Sequence, residues 1–170
     1  MPSPVDRRTV DLTAYPDLVV IYLGMRIRAL AGIKTALGLG PQIEKAGTAR
    51  PEGLLHFENN IIFSFFPLHI GMRWYWKDFE SMERWARSEP HRIWWQNFLR
   101  DSGGTGFWHE TYFMRGGREA IYDDVKSPVG LQVFAPNILA RGPMFSARKR
   151  LHLAGETPAQ PPNVSETDLY

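Results

Sequence analysis

The sequence predicts an α+β domain with its elements in the order β-α-β-β-α-β. Three observations predict it. Runs rich in β-branched and aromatic residues fall near 18–23, 54–57, 61–76 and 106–113, each bounded by glycine, proline or asparagine. Apolar residues recur at helical spacing after the first run and between the third and fourth. The alternation of two strand–helix–strand halves then lets both helices cover one face of a single sheet.

Residues 1–16 read as an extended arm ending at Tyr15-Pro16. The run 18–23 is continuously β-prone, as a buried strand requires. From Arg28 the period changes, and Leu30, Ile33, Ala36 and Leu37 share one helical face. Gly38 and Gly40 interrupt that helix, Pro41 opens a second short one through Ala46, and Gly47 stops it. A strand over 54–57 leads to a turn at Glu58-Asn59-Asn60. The stretch 61–76 is one long bent strand, or a short segment and a strand divided at Pro67, with Gly71 as a bulge position. Asp78 caps a helix with the apolar stripe Phe79, Met82 and Trp85. Ser88-Glu89-Pro90 breaks it and restarts a helix with Ile93, Trp94, Asn97 and Phe98 along its inner side. Between the turn signals Ser102-Gly103-Gly104 and Gly116-Gly117 lies the strand Gly-Phe-Trp-His-Glu-Thr-Tyr, 106–112.

Residues 118–122 are a weaker strand or an extended arm, and 136–170 form a Pro-rich, mobile tail, so the folded domain spans 17–135. The order is that of the ferredoxin-like split unit. Its helix-free face keeps many rings that need cover, which a homodimer, two sheets face to face in a dimeric α+β barrel, would supply. The tripeptide Gly-Met-Arg occurs at 24–26 and 71–73, once in each half.

Composition narrows function. The chain has 170 residues, six of them tryptophan, and 44% are hydrophobic, enough for one packed core. A net charge of +2 without a clustered basic face argues against nucleic acid. The absence of cysteine removes disulfides, thiolate metal sites and a cysteine nucleophile. No run approaches the roughly 20 apolar residues of a membrane span, and a soluble cytoplasmic protein is expected. No His-Glu-x-x-His, Gly-x-Gly-x-x-Gly or Gly-x-Ser-x-Gly pattern is present, so neither a metal nor a nucleotide or flavin cofactor is expected.

The strand 106–112 carries the most suggestive chemistry. Alternation puts Phe107, His109 and Thr111 on one face and Trp108, Glu110 and Tyr112 on the other. An imidazole such as that of His109 suits acid–base work, although the same position fits an ordinary half-buried histidine. His91 and Trp95, at i,i+4, share a helical face and form a second candidate pair. Trp74 and Trp76 alternate with Arg73 and Tyr75, and a buried Arg73 needs an acidic partner or a ligand carboxylate. The catalytic candidates are His109 and Tyr112. The substrate-binding candidates are Arg73, Trp74, Tyr75, Trp76, His91, Trp95, Trp108 and Glu110.

Gly24-Met25-Arg26, Tyr75-Trp76 before Lys-Asp-Phe, His91 with Trp94 or Trp95, and above all Trp-His-Glu-Thr-Tyr resemble a monooxygenase-like family. That family is related to the antibiotic-biosynthesis monooxygenases and is of the fumagillin-pathway type. The resemblance covers roughly 18–131. It implies a dimeric α+β barrel acting in secondary metabolism on a bulky, apolar polyketide- or terpenoid-type intermediate. The expected reaction is flavin-independent oxygenation. A cofactor-free cyclase using the same aromatic pocket is the alternative, followed by a haem protein with a histidine ligand and a non-catalytic carrier.

Overall fold

The computed structural model describes residues 4–150, apart from 116 and 148. Its elements are β1 (Arg7–Val10), β2 (Val19–Ile27), α1 (Leu30–Thr48), β3 (Leu54–Phe65), β4 (Leu68–Trp76), α2 (Phe79–Arg87), α3 (His91–Arg100), β5 (Thr105–Phe113), β6 (Tyr122–Asp123) and β7 (Asn137–Leu139). The chain divides into two compact units: residues 17–113, and the residues before 17 together with those after 113.

The 17–113 unit is a ferredoxin-like α+β fold. Its antiparallel sheet runs β3-β4-β2-β5. The central strand β2 pairs with β4 from Val19↔Trp76 to Arg26↔His69, and with β5 from Val19↔Phe113 to Ile27↔Thr105. Residues opposite one another share a face. Val19, Ile21 and Leu23 therefore lie level with Trp76, Trp74 and Met72, and these pack with Met82 and Trp85 of α2 as the core. Asp78 caps α2 by accepting a 2.7 Å hydrogen bond from the Ser81 backbone N–H.

Two local expectations change, and a third is decided between its alternatives. The two short helices are one helix, α1, with Gly38, Gly40 and Pro41 inside it. Leu39 and Ile43 on its inner side face the sheet, and tertiary packing overrides propensity. Glu58-Asn59-Asn60 is a bulged part of β3, with Asn60 at φ 61° and a register shift between Glu58 and Ile61. The stretch 61–76 is divided at Pro67, as the second of its two readings has it, with Leu68–Trp76 as a strand of its own. It closes the β3–β4 hairpin around Phe66–Pro67, both sides paired.

The second unit corrects the expected arm and tail. β1 is the middle strand of a three-stranded antiparallel sheet, order β6-β1-β7, so residues 7–10 and 137–139 are sheet. Thr9 is 1% exposed and its hydroxyl donates to the Ala120 carbonyl. Arg118 donates to the carbonyls of Met114 and Leu12, and Arg150 pairs with Glu119 at 2.8 Å. The remainder of the expected tail, 151–170, lies outside the described residues. Alternation is too short in these strands to be read from sequence, because a two- or three-residue strand has no period.

The repeated Gly-Met-Arg has a physical cause. Gly24 and Gly71 face one another across β2 and β4, with Trp108 opposite Gly24 on β5. A Cβ on Gly24 would sit 2.5 Å from the Trp108 indole nitrogen, and one on Gly71 would sit 2.4 Å from the Leu23 carbonyl oxygen. The pair makes room for the Trp108 ring and for Phe63, whose rings lie 5.5 Å apart. Gly71→Ala is expected to destabilise the protein by about 1–3 kcal/mol, because the clash is with backbone; an unchanged denaturation midpoint would contradict this packing.

Candidate functional site

The site lies between the helices and the sheet of the 17–113 unit. Here a cavity of about 460 Å³ is floored by Ile21, Leu23 and Met25 of β2 and walled by Trp74, Trp76, Trp85 and Trp95. A volume of this size falls within the ~300–1,000 Å³ of small-molecule sites. Two histidines meet it, His91 from the first turn of α3 and His109 from β5.

His91 is held firmly. Its Nδ1 donates to the Ala86 carbonyl at 2.8 Å, and its ring packs on Trp85 at 4.9 Å and Trp94 at 6.4 Å. Burial lowers its pKa below the ordinary value; the Ala86 bond opposes this and His109 adds to it. The imidazole is therefore neutral at neutral pH. With Nδ1 carrying the proton, Nε2 is the lone-pair nitrogen.

His109 sits at the mouth, exposed, 6.3 Å from the Phe107 ring. Phe107 in turn contacts Trp95 at 5.9 Å and Phe98 at 5.7 Å, which ties β5 to α3. An ion pair, Arg87–Glu83 at 2.6 Å, joins the rim. Trp94 donates to Gln42 at 3.2 Å and links α3 to α1. Among the described residues no cluster of three or more His, Asp or Glu could hold a metal ion.

The structure divides the residues expected to form one site. His109, His91, Trp74, Trp76 and Trp95 line the cavity. Tyr112, Arg73, Tyr75, Trp108 and Glu110 stand on the other face, because they alternate with the first group or lie level with its alternates. There Arg73 donates to Glu58 at 2.5 Å and to the Tyr22 hydroxyl at 2.8 Å, so Glu58 is the acidic partner the sequence asked for. Burial alone would lower the Arg73 pKa, and the bonds with Tyr22 and Glu58 more than offset it. Tyr75 is pushed upward by burial, and Tyr112 by its 2.5 Å hydrogen bond to Glu110. Trp108 donates to Nε2 of His69 at 2.7 Å.

Trp85 is a wall that sequence reasoning assigned to core alone. Its place in the stripe Phe79-Met82-Trp85 said that it faces inward, but not that space remains beside it. Two polar groups near the cavity have no hydrogen-bond partner among the described residues, the Trp74 indole N–H and the side-chain amide of Asn59.

Fold and cavity define a ferredoxin-like α+β domain with a ligand-sized, aromatic-walled chamber on its helix side. Residues 18–131 match the family model described as Monooxygenase af470-like, and the chain belongs to that family. Among solved structures it is similar to an aldoxime dehydratase, OxdRE, in complex with butyraldoxime. The identity is 26% with a TM-score of 0.70, covering 92% of this chain and 45% of that one. A second aldoxime dehydratase is 22% identical with a TM-score of 0.67, covering 92% of this chain and 47% of that one. SnoaB, a cofactor-independent oxygenase from Streptomyces nogalater, is 10% identical with a TM-score of 0.43, over 56% of this chain and 91% of that one, too distant to carry a reaction across. The chain spans less than half the length of the aldoxime dehydratases it matches. No curated protein matches it. No helix among the described residues is long and apolar enough to cross a membrane.

The histidines make stability pH-dependent. His91 and His56 are both lowered from 6.5 by burial, His56 against the upward pull of Glu58. As pH falls below that value the unfolded chain protonates first, so stability declines on acidification and is regained above it. Melting temperature is expected to fall between about pH 7.5 and pH 5.5, and to fall less in His91→Gln; a variant with the same slope as wild type would exclude His91 as a source.

Proposed function

We propose that this protein is a secondary-metabolism enzyme that oxygenates a bulky, mostly apolar polyketide- or terpenoid-type intermediate without flavin. The observation that carries the reading is the convergence of His109 and His91 on one aromatic-walled cavity in a chain of the monooxygenase-like family. The apolar walls exclude water from a substrate of that class. His109, at the mouth, is the base that reaches an acidic C–H of the substrate.

The chemistry balances with dioxygen as the oxidant. His109 takes the proton, and the carbanion transfers one electron to dioxygen. The radical pair combines, and the peroxide anion recovers the proton as a hydroperoxide. Loss of water, with the second hydrogen of the same carbon, leaves a carbonyl, so CH₂ and O₂ become C=O and H₂O. The electrons come from the substrate.

His109→Ala is expected to keep the fold and to lower turnover by about 10²-fold or more. Strict anaerobiosis is expected to stop product formation. Full activity in the variant would remove His109 from the reaction, and undiminished anaerobic turnover would favour the cyclase reading, with the cavity holding the substrate in a reactive fold.

One observation favours a second reading. The Ala86 carbonyl fixes His91 in the tautomer whose Nε2 lone pair is free, the form that ligates a metal. A haem would fit these residues, with His91 as its histidine ligand and the tryptophans as apolar walls. Bound there, its iron would supply oxygen activation or Lewis-acid chemistry. Haemin titration is expected, on this reading, to give a Soret band that His91→Gln abolishes; no band on saturation would leave the flavin- and haem-free reading alone.

A further inference from the structure

The chamber does not end at the walls described above. A second apolar lobe of about 280 Å³ lies between α1 and β3–β4, and Leu23, Met25, Leu39, Ile43 and Phe107 line both spaces. The lobe is adjacent to the cavity and on the same face of the sheet. Its polar lining is Glu44 of α1 with Asn59 and Asn60 of β3, and of these Asn59, two residues beyond the Phe57 whose ring packs on Trp74, has its amide buried.

The Asn59 amide is unusual in its bonding. Both its nitrogen and its oxygen are buried, and neither has a hydrogen-bond partner among the described residues. An unpaired buried amide is costly, and such groups are normally satisfied. Its position is set by the β3 bulge. The register slips between Glu58 and Ile61, and Asn60 takes the left-handed φ of 61°, which turns the strand beside the lobe. Bulges re-aim side chains in this way next to functional sites. The Trp74 indole N–H, also unpaired, is on the neighbouring strand and belongs to a residue that lines the first cavity. An asparagine χ2 torsion is soft, so a small rotation brings the amide to a group seated in the lobe.

We propose that the second lobe receives the distal end of the substrate and that Asn59 is its specificity-determining residue. The matching chemistry is a group that both donates and accepts, above all a hydroxyl: it donates to Oδ1 and accepts from Nδ2. The substrate is then an elongated apolar molecule with a hydroxyl remote from the carbon that reacts at His109. This rests on the reading of the cavity as the substrate site.

The test compares two isomers, n-octanol and heptyl methyl ether, by calorimetric titration of the whole protein. They have the same atoms, but only the alcohol donates. An apolar lobe without the amide would prefer the ether, which is cheaper to desolvate. The expected result is that wild type binds octanol about tenfold more tightly than the ether, a ratio typical of one well-made buried hydrogen bond. Asn59→Leu is expected to erase that preference and to raise the melting temperature, because it removes an unpaired amide. Substitution at 59 meets no left-handed backbone, since Asn60 carries it.

Equal binding of the isomers to wild type, preference for the ether, or no binding of either would overturn the assignment. So would an alcohol preference that survives in Asn59→Leu. A variant that loses stability would show that the amide is structural. If leucine is too large for the site and Asn59→Leu does not fold, Asn59→Ala decides: loss of the alcohol preference supports the assignment and its survival overturns it. Alcohol preference with a fully active His109→Ala would sink the oxygenase reading and spare this one. Equal binding with an inactive His109→Ala would do the reverse.

Discussion

Everything in the 17–113 unit depends on the two-residue period of β2 and its two hydrogen-bonded neighbours. Because β4 and β5 both pair with β2 in regular register, a single choice of face for Val19 settles the face of nearly every ring. Trp74, Trp76 and His109 go toward the helices with Ile21 and Leu23. Arg73, Tyr75, Glu110 and Tyr112 go the other way with Tyr22. A slip of one residue would exchange the two sets and place an ion pair in the apolar chamber. The glycines at 24 and 71 protect that register, since no side chain separates the strands where Trp108 crosses them.

The two faces have different electrostatics for this reason. On the helix side the wall is carbon, and a histidine there is driven neutral by burial. On the other side Glu58, Arg73, Tyr22 and Tyr75 satisfy one another. A guanidinium that is already bonded to a carboxylate and a phenol has little left for a ligand. The polar groups that interrupt the helix-side wall include His91, His109, Thr111 and Asn59, with the Arg87–Glu83 pair at the rim.

The family is described as monooxygenase-like while two similar solved structures are aldoxime dehydratases, so the fold by itself does not fix a reaction. A ferredoxin-like sheet with helices on one side leaves a roofed chamber whose depth is set by the helix side chains and whose reactive groups come from a few positions. In this chain those positions hold an exposed imidazole at the mouth and, beneath the roof, an imidazole whose Nδ1 is committed to a backbone carbonyl.

Much of this was legible in the sequence because it was local. The strand at 106–112 and its split into His109 and Glu110 faces follow from alternation, and Asp78 capped the helix it precedes. The Trp-His-Glu-Thr-Tyr run carried the family. Other features depend on partners distant in the chain. The turn at Glu58-Asn59-Asn60 was a fair reading of three polar residues, but pairing to β4 on both sides makes it a bulge. Gly38 and Pro41 break a helix in isolation, yet Leu39 and Ile43 packing on the sheet carries the helix through them. Arg7–Val10 has no period to read, and becomes a strand only because β6 and β7 arrive from more than a hundred residues away. By itself the sequence determined the order of the elements in the 17–113 unit and the two faces of β5, since both are set by neighbours along the chain. Only the tertiary structure decided which rings enclose empty space and which amide is left without a partner, because a void and an unmade bond are properties of packing between segments.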